Sequence, residues 1–293
     1  QMLEQLRHKQ TENYQGSFIY ERKDVFSTHS MWRSLDEQGR KQERFLQLSG
    51  PRLEVLRVDG QVVCAVRPNA EQALTAQTWP DKSLDWQRLA KWYRLEVLGQ
   101  GRVADRTTVA VLFTPRDAHR YPLELHLDKQ TAVPLKSLLL NEQGQLLERF
   151  QFVTYSAGQV SAQDMQVNPD TCSEQLEPQE TSEQPRTWQW QLDWLPEGFA
   201  PVTQNSDNWS ISQQQVIKQN YSDGLAHFSV FVESVESQQV SAARLQLGPT
   251  AVITRRIETE FGAFMLTVLG EIPAGTAERL ALSVRVLAQE LEP

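Results

Sequence analysis

Apolar and polar residues alternate along much of the first half of this chain. In SFIYER (17–22) Phe18 and Tyr20 share a face, and THSMWRSL (28–35) runs into the turn DEQG. RKQERFLQLSG (40–50) stops before Pro51, and RLEVLRVDGQVVCAVR (52–67) sets Asp59-Gly60 between two apolar runs, a strong hairpin signal. YPLELHL opposes Leu123, Leu125 and Leu127 to Glu124, His126 and Asp128, the pattern of a sheet with one wet face. LHLDKQTAVPLKSLLLNEQGQLLERFQF (125–152) reads as strand, turn, strand, turn, strand, with Phe150 and Phe152 on one face. Helical spacing is expected in two places. Residues 2–15 put Met2, Leu3 and Leu6 together before Gly16, and residues 78–98 put Trp86, Leu89, Ala90 and Tyr93 on one stripe with Ser83 or Asp85 as cap.

Short turns make sequence neighbours antiparallel neighbours, so residues 1–172 are expected to form a sheet of eight or more strands. A sheet of that width twists and curls, and with helices over its concave side it becomes an open half-barrel with an apolar groove. SEQLEPQETSEQPR (173–186) is acidic, holds a single large apolar residue, Leu176, and reads as a flexible linker. Residues 187–293 predict a smaller domain. Its strands are QQVIKQNYS (214–222), LAHFSVFVES (225–234), TAVITRRIET (250–259) and FMLTVLG (264–270), with a turn at YSDG and a helix near 275–289. The fold class is therefore mainly β with α+β character: a curled antiparallel half-barrel covered by helices, plus a smaller antiparallel sheet with one C-terminal helix.

Charge sharpens this division. The net charge of −8 over 293 residues splits into +1 for 1–172 and −9 for 173–293, which argues against nucleic-acid binding by the second domain. The chain begins at Gln1 rather than Met, compatible with removal of an N-terminal segment. Cys64 and Cys172 are either two buried thiols or one disulfide of an oxidising compartment. G-x-S-x-G, H-E-x-x-H and P-loop motifs are missing, and the five histidines include no helical metal pair. GQGRVA (99–104) fits a loose dinucleotide fingerprint, but the β-branched DRTTVAVLFTP follows it where a helix is required, so it is expected to be a tight strand-to-strand turn.

Several stretches are similar to the RseB/MucB family: YQGSFIYER (14–22), GRVADR (101–106), HLDKQTAVPLKSLLLNEQGQLLERFQF (126–152), WLPEGF (194–199), YSDGLAHFSVFVE (221–233) and GEIPAGTAERLA (270–281). Their order and spacing span both domains. The resemblance implies a first domain similar to the lipoprotein carriers LolA and LolB, a periplasmic location after loss of a secretory signal, and an oxidised Cys64–Cys172 pair. It implies a binding protein without catalysis, cofactor or metal. Its partner would be the periplasmic part of a membrane-anchored anti-sigma factor, MucA/RseA-like, shielded from the site-1 protease until lipid or lipopolysaccharide releases it. Homo-oligomer formation is left open, and nucleic acid is not expected as a partner.

For lipid contact the candidates are Phe18, Met31, Trp32, Leu46, Leu48, Trp79, Trp86, Leu89, Tyr93 and Phe113, each also readable as plain core. For the anti-sigma contact they are Trp209, Tyr221, Phe228 and Phe231, the last on the opposite side of its strand from Phe228 and Val230. Two other classes compete. A lipid or lipoprotein carrier would need only the first domain, and an enzyme on the curled sheet would need an acid pair or triad in a cleft.

Overall fold

This computed structural model describes residues 13–23, 25–66, 84–168, 172, 188–202, 208–211, 214–235 and 242–288. They form two compact units, and each is built from separated pieces of chain. The first contains Gln1–Trp86, Leu95–Thr114 and Pro122–Leu176; the second contains Gln87–Arg94, Pro115–Tyr121 and Glu177–Pro293. The expected linker at 173–186 lies outside the described residues, as does most of the expected helix at 2–15.

The first unit is one curled antiparallel sheet. Its strands are β1 (Tyr14–Arg22), β2 (Val25–Leu35), β3 (Lys41–Gln47), β4 (Glu54–Val58), β5 (Gln61–Val66), β6 (Tyr93–Val103), β7 (Arg106–Pro115), β8 (Leu123–Asp128), β9 (Pro134–Leu140) and β10 (Leu146–Ala157). The order β5-β4-β3-β2-β1-β10-β9-β8-β7-β6 makes every connection a neighbour step except that from β5 to β6, which joins the two edges of the sheet, and the two halves close where β1 pairs with β10. Gly16 serves that closure: a Cβ there would stand 2.2 Å from the Thr154 carbonyl oxygen. Cys64 on β5 is disulfide-bonded to Cys172, with Cα atoms 5.2 Å apart.

Three local expectations change. Tyr14 and Gln15 are strand, not the end of a helix, because both neighbours offer them a ladder: Tyr14 pairs with Ala157 and with Arg33. The helical stripe stops early. Helix α1 is Trp86–Trp92, and Tyr93 already opens β6, where the LEVL run finds a partner in β7. GQGRVA is not the turn. Gly99 and Gly101 lie inside β6, and Ala104 and Asp105, at φ 48° and 60°, make the two-residue reversal into β7.

The second unit has a two-stranded pair, β11 (Trp188–Leu192) with β19 (Val284–Ala288), and a larger sheet. That sheet runs β12 (Ala200–Pro201), β14 (Gln214–Ser222), β15 (His227–Ser234), β18 (Gly262–Gly270), β17 (Thr250–Thr259) and β16 (Ala243–Leu247), with β13 (Asn208–Ile211) also on β14. Helix α2 (Ala274–Ser283) covers one face and buries Ala277, Leu280 and Ala281 against Val230, Val232, Ile253 and Leu266. The expected helix ran to 289. It ends at Ser283, whose hydroxyl donates to the carbonyls of Leu280 and Trp194, and the β-branched Val284 and Val286 pair instead with Leu192 and Trp190.

Candidate functional site

The strand register decides which side chains of the large sheet share a face. Phe113 lies opposite Leu123, Val111 opposite Leu125, and Phe150 opposite both Ser137 and Tyr20. Phe152, Phe18 and His29 form the next row, and Met31, Phe45 and Val55 the one after. This face is apolar and buried, with Phe18 packed on Phe150 and Phe152 at ring distances of 4.7 and 6.0 Å. Its polar groups stand at the margin, where Glu148 accepts from the Tyr20 hydroxyl at 2.5 Å and from Arg22 at 2.7 Å.

His29 is a titratable group inside the apolar face. It is fully buried, its ring stacks on Phe18 at 5.0 Å, and its Nε2 lies 2.8 Å from the Ser27 hydroxyl. Burial pushes its pKa down to about 4, so the imidazole is neutral at physiological pH.

The opposite face is polar. The row Thr154, Ser17, Ser30, Leu46, Glu54 crosses it, and Trp32 lies opposite Arg44. Arg44 stacks over Trp32 at 4.8 Å, donates to the Asp164 carbonyl at 2.6 Å and pairs with the buried Glu54 at 2.6 Å.

The ten lipid candidates are thus divided. Phe18, Met31 and Phe113 share the apolar face, and Trp86 stacks on Phe113 at 5.8 Å. Trp32 and Leu46 belong to the polar face. Leu48 is exposed beyond the end of β3, and Leu89 and Tyr93 are buried in the second unit. Trp79 lies outside the described residues. Of the other set, Phe228 and Tyr221 stack on each other at 5.0 Å within the core of the second unit. Phe231 faces the other way, partly exposed, with the Lys218 ammonium 5.8 Å from its ring centre, and Trp209 is placed on β13 opposite Val216.

The feature with no sequence signal is a buried ion pair in the second unit. Arg120 and Asp223 are both fully buried, with Nε to Oδ2 at 2.6 Å. Arg120 also binds Asp117 and donates to the Glu197 carbonyl, and its guanidinium sits 4.7 Å above the Phe199 ring. The second Asp223 oxygen accepts from the Leu225 and Ala226 amides at 2.8 Å, and the Tyr93 hydroxyl donates to Oδ2 at 2.9 Å. Burial and then the Asp223 charge hold the Tyr93 phenol well above its ordinary pKa, so it remains a donor. Beside this cluster Trp92 covers Gly198, where a Cβ would stand 2.3 Å from the indole. Each nitrogen of the Arg120 guanidinium and each carboxylate oxygen of Asp223 has a hydrogen-bond partner, as a structural lock requires. Among the described residues no group of three or more His, Cys, Asp and Glu is arranged to hold a metal ion.

Two family models cover most of the chain. The MucB/RseB N-terminal domain matches residues 1–176 and the MucB/RseB C-terminal domain matches residues 184–285. The chain belongs to the MucB/RseB family. It is 46% identical over 273 residues to the sigma factor AlgU regulatory protein MucB of Pseudomonas aeruginosa, covering 93% of this chain and 86% of that protein. It is 30% identical to the sigma-E factor regulatory protein RseB of Salmonella typhimurium, covering 95% of this chain and 87% of that one. Among solved structures it is similar to the Pseudomonas aeruginosa MucA/MucB complex, with a TM-score of 0.80 at 43% identity over 98% of both chains. MucB in complex with MucA(peri) gives 0.76 at 42% identity over 98% of this chain and 97% of that one. Within the MucB/RseB N-terminal match, Gln87–Arg94 and Pro115–Tyr121 are the pieces that belong to the second compact unit.

Proposed function

We propose that this MucB/RseB-family protein is a periplasmic negative regulator without catalytic activity. It binds the periplasmic part of a membrane-anchored, MucA/RseA-like anti-sigma factor, shields it from site-1 proteolysis and is released by lipid or lipopolysaccharide. The observation that carries the reading is the likeness, across both domains, to MucB solved together with MucA.

The physics fits an extended ligand. A segment that orders on binding gains backbone hydrogen bonds at a sheet edge and needs few apolar anchors. Phe231 is the anchor we favour, because contact through Phe228 or Tyr221 would require the second core to open. The apolar face around Phe18, Met31 and Phe113 is the proposed lipid-responsive region. Linkage then demands reciprocity: if lipid weakens the anti-sigma contact, the contact weakens lipid binding by the same factor, typically about 1–3 kcal/mol.

The test is capture of the anti-sigma periplasmic segment by this protein, with and without lipid, followed by site-1 protease digestion of the captured segment. Capture, protection and lipid-induced loss of both are expected. Absence of capture in lipid-free buffer would sink the proposal.

A further inference from the structure

The second unit takes two stretches, Gln87–Arg94 and Pro115–Tyr121, from between pieces of the first. Both leave the first unit beside one aromatic pair. Trp86, the residue before Gln87, stacks on Phe113 at 5.8 Å, and Phe113 stands two residues before Pro115. Phe113 is fully buried on the apolar face, opposite Leu123.

Inside the second unit both stretches end on one carboxylate. Tyr93, just after α1, donates its hydroxyl to Asp223 Oδ2 at 2.9 Å, and Arg120 Nε donates to the same oxygen at 2.6 Å. The Arg116 amide donates to the Trp92 carbonyl at 2.9 Å, which ties the two stretches together. Leu89 of α1 is buried, and its Cδ2 lies 3.8 Å from where a Cβ on Gly224 would stand. Asp223 in turn holds the reversal from β14 to β15, where its Oδ1 accepts from the Leu225 and Ala226 amides at 2.8 Å. Those two strands set Lys218 opposite Phe231.

We propose that Asp223 relays the state of the Trp86–Phe113 pair to the β14–β15 hairpin, and so couples lipid to the anti-sigma contact. The relay rests on the function proposed above, in which lipid acts at the apolar face. An acyl chain that parts the two rings moves the start of α1 and the end of β7, and Tyr93 and Arg120 move with them. A fully buried carboxylate does not stay behind without its donors, because an unpaired charge out of water is costly. Two discrete arrangements follow. Either both donors hold Asp223 and the turn is closed, or Asp223 is drawn away and the Leu225 and Ala226 amides are released to water. The second arrangement loosens the hairpin that carries Phe231 and lowers its affinity for the anti-sigma segment.

Amide hydrogen exchange on the whole chain, with and without purified lipopolysaccharide, tests the relay. Lipopolysaccharide should speed exchange at Leu225 and Ala226 by roughly fivefold or more, while the amides of β18 in the same sheet keep their rates. Trp86→Leu should speed the same two amides with no lipopolysaccharide present. Tyr93→Phe cuts the α1 arm at Asp223. It should capture the anti-sigma segment in lipid-free buffer and lose most of the lipopolysaccharide response. Bound lipopolysaccharide that leaves Leu225 and Ala226 unchanged would overturn the relay, as would a full response in Tyr93→Phe or an unchanged turn in Trp86→Leu. Equal acceleration along β18 would show general loosening and overturn it too. Lipopolysaccharide that does not bind, or an anti-sigma segment that is not captured, counts against the function proposed above. The Trp86→Leu comparison needs neither and then decides the relay alone.

Discussion

The two units stabilise their sheets with different chemistry. The first spreads an apolar face over the strands, keeps its ion pairs at the margin or on the polar face, and adds one covalent bond. The second ties three separated pieces of chain to one fully buried ion pair, Arg120–Asp223. A buried ion pair adds little net stability over well-packed apolar groups, but losing one partner is costly because the other charge remains buried. Loss of one partner is therefore expected to cost the second unit more than loss of a marginal ion pair costs the first.

The largest expected effect breaks the second unit. Arg120→Ala leaves Asp223 buried without its cation and should cost about 3–5 kcal/mol in that unit. Thermal unfolding should show a transition of the second unit displaced to low temperature while the sheet of the first still melts near its usual point. If both units shift together, the contrast is false.

Removing the disulfide is the corresponding cut in the first unit. Cys64→Ser with Cys172→Ser opens a loop of sequence separation 108 and should cost about 2–4 kcal/mol. Urea titration followed by the Trp86 environment would locate that loss.

The pH response should also divide the units. His29 has a folded pKa of about 4 against an ordinary 6.5, so between those values the unfolded chain binds the extra proton. Its contribution is complete above pH 6.5 and is lost as pH falls toward 4, by roughly 3 kcal/mol at most. His29→Phe should flatten that part of the pH–stability curve. An unchanged slope would place the acid sensitivity elsewhere.

Phe231→Ala should have the smallest effect on folding, within about 1 kcal/mol, since its ring is partly exposed. It should nonetheless weaken capture of the anti-sigma segment. A large fall in melting temperature would show that Phe231 is core.

Much of the sheet was legible because its signals are local. Asp59-Gly60, DEQG, DKQT and NEQG all lie at the reversals they predict, and Phe150 and Phe152 share a buried face as their spacing requires. Strand β16 alternates Leu245 and Leu247 with Arg244 and Gln246, but five residues exposed along their whole length are too short a run to separate from a loop. The end of α2 is hidden from the sequence because Val284 continues the helical stripe while a distant strand offers it a better ladder. The ion pair lay deeper still. Arg120 sits in the polar run RDAHR, which reads as a solvated loop, and Asp223 reads as an ordinary turn residue in YSDG. Nothing local reports that residues 103 positions apart will neutralise each other. The register, not the hydrophobicity of single residues, separated Trp32 and Leu46 from Phe18 and Met31.

The Cys64–Cys172 bond closes a covalent ring, and both N-terminal-half segments of the second unit, Gln87–Arg94 and Pro115–Tyr121, lie within it. A protease that cuts once anywhere inside that ring produces two polypeptides that stay joined. The nicked molecule migrates as one species until a reductant is added, and Arg120 remains tethered to the chain that carries Asp223. Limited digestion of this protein therefore has to be read on reduced samples, because only there does a break inside the ring become visible.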